Sequence, residues 1–135
     1  MLFRSADGQW LAFVNSDAKL YVAPFRGSQS IPPATWTEVA NGATQPAWSP
    51  DGNSLYYRVG QRTNFSTSTF NAILMRQPLD PSTKRPAGTA NVFHRFGDML
   101  FAVGIVNPIS VAQDQIILTL AESTSDLWSI DLPPR

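Results

Sequence analysis

Eleven prolines and eight glycines are spread through 135 residues, and few windows of a dozen residues escape a helix breaker. A chain punctuated this way folds as short extended segments joined by turns. The hydrophobic runs agree. Trp10-Leu11-Ala12-Phe13-Val14, Lys19-Leu20-Tyr21-Val22, Ser54 to Val59 and Gln115 to Leu120 are rich in β-formers, and each is bounded by Gly, Pro, Asn, Asp or Ser. Segment 98–106, the one candidate for a helix, contains Gly104 and runs into Asn107-Pro108, so it is expected to be extended. The fold class predicted is all-β.

The turns repeat. In Ser49-Pro50-Asp51-Gly52, Pro50 presets φ, Asp51 can bond back to the backbone, and Gly52 accepts positive φ at the end of the loop. This is a type I turn closed by a glycine bulge, a common hairpin connection. Ser5-Ala6-Asp7-Gly8 writes the same turn 44 residues earlier. Val111-Ala112-Gln113-Asp114-Gln115 is a degraded third copy that keeps the aspartate and lacks the glycine. Downstream, Leu20 to Phe25, Leu74 to Leu79 and Leu127 to Leu132 carry large apolar residues at matching places, with 54 residues between the first two copies. The surplus over 44 falls in an insertion, Gly60 to Phe70. A fourth segment follows two of these strands, Thr35 to Ala40 and Ala90 to Phe96, whereas the third copy runs straight to Pro133-Pro134-Arg135.

This four-strand unit resembles the WD40-like (PD40) repeat of TolB-type β-propellers. "AWSPDGNSLYY" carries the resemblance most specifically, followed by "FRSADGQWLAFVNSDAKLYVAPFRG" and "ISVAQDQIILTLAESTSDLWSIDL". The resemblance implies one propeller segment, 1–135, the C-terminal part of a propeller. Its blades would be four-stranded antiparallel sheets, approximately 1–42, 43–97 and 98–135, with about 4+4+3 strands. Propellers use ~4–8 blades, so three imply either a piece of a longer chain or a homodimer closing a six-bladed ring. A lone arc would expose apolar blade faces around Trp10 and Ile117. Trp10, Trp48 and Trp128 are expected inside, and Trp36, on an outer strand, partly exposed.

Charge narrows the partners. Ten acidic and ten basic residues cancel without any like-charged run, which argues against a nucleic-acid footprint and a polybasic membrane patch. Cysteine is absent, so disulfides, thiolate nucleophiles and cysteine-ligated zinc are out. Met1 to Gly8 lacks the basic and apolar regions of a signal peptide, and no apolar run approaches the ~20 residues that span a bilayer. The chain reads as soluble, with cytoplasm and periplasm both open. Its start directly on a turn motif is what a piece of a longer protein would show.

No chemistry is written in the residues. Asp7, Asp51 and Asp114 belong to turns on separate blades rather than to one metal site. His94 is the only histidine, set in the strand pattern Val92 to Phe96 without neighbouring ligands. Glu38 and Glu122 fall on different blades, and no G-x-S-x-G, P-loop or G-x-G-x-x-G is present. Neither a catalytic residue, a metal nor a cofactor is expected. The expected function is recognition of a protein, peptide or ligand, or assembly, with an accessory propeller of a larger hydrolase or regulator as the alternative and an enzyme with a pocket at the propeller mouth ranked last. Its expected site is the long insertion, through Arg62, Asn64 and Phe65, with Arg58 on the strand leading into it. Asp7, Gly8, Ser49, Pro50, Asp51 and Gly52 are structural turn residues. Asp80 to Pro86 should be a solvated connector on the opposite face.

Overall fold

The computed structural model describes residues 2–61, 71–97, 99–101 and 109–121. They form an all-β structure whose largest parts are two antiparallel four-stranded sheets. Sheet A runs β1 (Leu2–Arg4), β2 (Trp10–Val14), β3 (Lys19–Pro24) and β4 (Thr37–Asn41), in that order. Sheet B runs β5 (Ala43–Trp48), β6 (Ser54–Gln61), β7 (Asn71–Pro78) and β8 (Asn91–Arg95). Every strand pairs with its neighbour in sequence, so both sheets are meanders. Two short antiparallel pairs follow. β10 (Ser110–Val111) lies on β11 (Ile116–Ile117), and β9 (Leu100–Phe101) on β12 (Leu120–Ala121). The sole helical turn among the described residues is the 3-10 turn Pro33–Thr35.

Side chains alternate across each strand, and the alternation builds the core. The inner face of sheet A contributes Phe3, Trp10, Ala12, Leu20 and Val22, which meet Ala43, Trp48, Leu55 and Tyr57 of sheet B. Leu20 and Leu55 are fully buried, and burial of that kind contributes roughly 1.5–3 kcal/mol per side chain. Trp48 also donates its Nε1 proton to the Phe3 carbonyl at 3.0 Å, tying the first strands of the two sheets together. Trp10, expected inside, is half-buried between the sheets, because residue 10 shares the inward parity of Ala12. Trp36 is half-buried and Trp128 lies outside the described residues.

Strand β6 is covered on both sides, which explains why Leu55-Tyr56-Tyr57 reads as a continuous apolar run rather than an alternating one. Its second face, with Tyr56, packs alongside Leu74 of β7 on Ile109, Val111, Ile116 and Leu118. Both sheets break register at the same place, between Leu20 and Tyr21 opposite β4 and between Leu74 and Met75 opposite β8. The sheets thus share a bulge as well as a turn. A further irregularity in β5, between Thr44 and Ala47, holds Gln45 at φ 46°. Only Gly42, at φ 71°, separates β4 from β5, and the next residue, Ala43, donates its amide to the Ala18 carbonyl at 3.0 Å.

The outer face of sheet A is covered by its own chain. Residues 25–36, which join β3 to β4, bring Trp36 edge-on against Phe13 (4.9 Å between ring centres) and beside Tyr21 at 5.6 Å. The Trp36 indole donates to the Ile31 carbonyl. At the other end of the face the Arg4 guanidinium lies 4.0 Å over the Phe25 ring. Beneath this cover Leu11 and Ala23 are buried although, among the described residues, no other sheet packs there. The fourth strand consequently starts at Thr37, after the 3-10 turn, rather than at Thr35.

Candidate functional site

The hairpin turns set the geometry of one end of both sheets. In the first, the Ser5 hydroxyl donates to Asp7 Oδ1 at 2.5 Å and accepts the Trp10 amide at 3.0 Å, while the Gln9 amide donates to Asp7. In the second, the Ser49 hydroxyl donates to Asp51 at 2.5 Å, accepts the Ser54 amide at 2.9 Å, and the Asn53 amide donates to Asp51. Gly8 and Gly52 close the two turns at φ 71° and 68°. The serine is the part sequence reasoning left without a role: its one oxygen links the carboxylate to the strand after the turn. The serine hydroxyl and a backbone amide hold Asp7 and Asp51 below the usual carboxylate range, so both are ionised at neutral pH. Pro50 is exposed at the corner of its turn.

The third hairpin is not a worn copy of these two. Arg4 pairs with Leu11 and Trp48 with Leu55, but Val111 pairs with Ile116, so its loop is two residues tighter. Ala112 and Gln115 stand where the wider turn would need serine and glycine, and the Ala112 amide bonds directly to the Gln115 carbonyl. Asp114 is exposed on this loop.

The connection from β7 to β8 is also more than a solvated linker. Asp80 accepts the Ser82 and Thr83 amides and the Thr83 hydroxyl, which lowers its pKa. Lys84, at φ 54°, turns inward, is 5% exposed, and donates to Asn53 Oδ1 at 3.0 Å. The Leu79 amide bonds the Asn53 carbonyl as well. Two bonds therefore pin this loop to the Ser49–Gly52 turn. The polar residues of this segment read as a solvated connector, and the inward lysine has no local signal.

Between the outer face of sheet B and the 110–118 hairpin runs an open groove of about 880 Å³. Tyr56, Leu74, Phe93 and Phe96 line one side, and Val111, Ile116 and Leu118 the other. Phe93 stands edge-on to Tyr56 at 5.1 Å, and the His94 ring packs at 4.6 Å against Phe96. Polar groups sit at the margins. The Arg76 Nε donates to Ser54 Oγ at 3.2 Å and its charge acts on Asp51. Asp114 faces the groove from the hairpin. The Ser49 hydroxyl at the rim is already committed to Asp51 and the Ser54 amide. Among the described residues, no group of three or more His, Asp or Glu could hold a metal ion. No helix among them is long and apolar enough to cross a membrane.

Of the four residues expected to form the site, Arg58 alone lies among the described residues. Arg62, Asn64 and Phe65 lie outside the described residues, as does Glu122. Arg58 is buried, with its guanidinium 4.6 Å over the Phe101 ring, and burial lowers its pKa. Glu38 is exposed on β4 and paired with Lys19 at 3.1 Å, a contact that raises the Lys19 pKa. Of the residues singled out in the sequence, His94, Asp114 and the turn residues Ser49, Pro50 and Asp51 line the groove. Phe93, Phe96 and Arg76 were missed, since only the packing of the hairpin on sheet B shows that they share a cleft. No family model, curated protein or solved structure matches the chain.

Proposed function

We propose that this chain is a segment of a β-propeller that recognises a protein or peptide partner and performs no chemistry of its own. Two successive meanders with the same turn and bulge, packed face to face, support the propeller reading. The open groove carries the functional one. A lining of apolar and aromatic side chains interspersed with polar ones, mounted on a packed sheet, is a common make-up of a recognition site. The shifted carboxylates point the same way. Asp7, Asp51 and Asp80 owe their low pKa values to turn hydrogen bonds, so their shifts describe architecture rather than an acid–base pair.

Selection of random 15-residue peptides from a phage library against the purified chain tests this. Enriched peptides are expected to lose at least about tenfold in affinity, on the order of one hot-spot contact, in Phe93→Ala and Ile117→Ser, both exposed positions. Thermal melts should change little. Failure to enrich any peptide, or binding indifferent to both substitutions, would overturn the assignment.

A further inference from the structure

The groove is bounded on one side by a sheet edge. Among the described residues β8 pairs with β7 alone, and all five of its side chains are exposed, Val92 at 43% and Phe93 at 48%. An exposed apolar edge strand is a template for another strand unless it is guarded. The matching edge of sheet A is guarded: Glu38 and Lys19 form an ion pair beside it. β8 carries Arg95 and no carboxylate.

The backbone direction is readable. The Phe96 amide donates to the Ala72 carbonyl at 3.0 Å, toward β7. Successive amides of an extended strand point to opposite sides, so the Arg95 amide points to the open edge. Phe93 and His94 line the groove, while Arg95, opposite Ile73, faces the other side of the sheet.

Resting on the recognition reading above, we propose that the groove takes its partner as an extended acidic–apolar peptide added as a fifth strand along β8. Main-chain bonds to the open edge supply affinity, as in other strand-addition complexes. Alternate apolar side chains enter the groove over Phe93 toward Ile117, and the intervening acidic ones meet Arg95. Charge selects this occupant over a second copy: an acidic strand complements β8, whereas a second β8 brings no carboxylate to meet Arg95.

The probe is an acetylated, amidated, fluorescein-labelled heptapeptide in which glutamate alternates with leucine or phenylalanine, measured by anisotropy against the full chain. Binding is expected. It should weaken roughly tenfold when backbone nitrogens along one edge of the peptide are methylated, and little when those on the other edge are, as loss of main-chain bonds requires. Arg95→Pro, which removes the outward amide, should weaken binding similarly, whereas Arg95→Gln should cost about threefold, as a rim charge does. The methylated peptides keep the test decisive should the proline variant misfold. Failure of this heptapeptide to bind, or equal binding of both methylated forms, overturns strand addition. If phage-selected peptides still bind in the groove, the recognition reading survives that failure. A concentration-dependent dimer abolished by Arg95→Pro would assign the edge to a second copy and also overturn the proposal.

Discussion

Sheets A and B share the same four strands, the same Ser-x-Asp-Gly turn and the same bulge, yet their outer faces are treated in opposite ways. Sheet A folds the residues after β3 back over itself, so that Trp36 closes on Phe13 and Tyr21 and leaves Leu11 and Ala23 dry. Sheet B sends the equivalent connection sideways, where Lys84 pins it to the turn, and its outer face stays open to the hairpin and the groove. One unit is finished and the other is available. A repeated architecture leaves an open groove here through what the third connection does, not through a change in the strands.

The largest test of that comparison is whether the sheets share one core. Leu20→Ala and Leu55→Ala, on facing sheets, should each cost about 3 kcal/mol, typical of fully buried leucines, and chemical denaturation should still show one transition. Separate transitions for the two sheets would break the comparison at its base. Leu74→Ala should cost less, about 2 kcal/mol, because its side of sheet B borders a groove into which neighbours can relax.

The coverings come next. Trp36→Ala should destabilise by about 2 kcal/mol, roughly half the value for a fully buried tryptophan, and should expose the face of sheet A to a hydrophobic dye. Phe93→Ala, on the open sheet, should cost no more than about 1 kcal/mol, the scale of one aromatic edge contact. Equal losses at the two positions would show that the faces are not different in kind.

The turns test the likeness rather than the difference. Gly8→Val and Gly52→Val should each cost about 1–2 kcal/mol by forcing a branched residue to positive φ, and the two losses should match. The nearest atom to a new Cβ at residue 52 is the Lys84 Nζ at 3.8 Å, an ordinary contact, so backbone strain alone sets the size.

The smallest effect is in acid. Asp7, Asp51 and Asp80 titrate below their unfolded value of about 3.9. Their ionised forms therefore add stability in full above about pH 4 and lose it as pH falls through the lower folded values. Asp51→Asn should flatten the acid limb of a melting-temperature profile, because asparagine can still accept both bonds but does not titrate. A limb as steep as that of the parent would move the acid sensitivity elsewhere.

Sequence reasoning reached what is local. A serine, an aspartate and a glycine at fixed spacing make their turn with one another, so all-β strands and both clamped hairpins were legible before any fold was known. The misses are contacts made across the chain. Trp36 closes on residues of β2 and β3, Lys84 reaches Asn53 from 31 positions away, and the groove needs residues from β6, β7, β8 and the last hairpin at once. The third hairpin was misjudged for a different reason. Its aspartate fits the repeated pattern, but without the serine to hold the wider loop the strands close two residues earlier.

The single glycine between β4 and β5 has a dynamic consequence. With Gly42 as the whole connection and Ala43 already bonded to Ala18, no residues are left to absorb the angular change of a hinge. The sheets cannot swing against each other as bodies on a tether. Any signal raised by an occupant of the groove must travel as side-chain and edge rearrangement within a stiff frame, so relaxation measurements should find sheets A and B tumbling together with and without it.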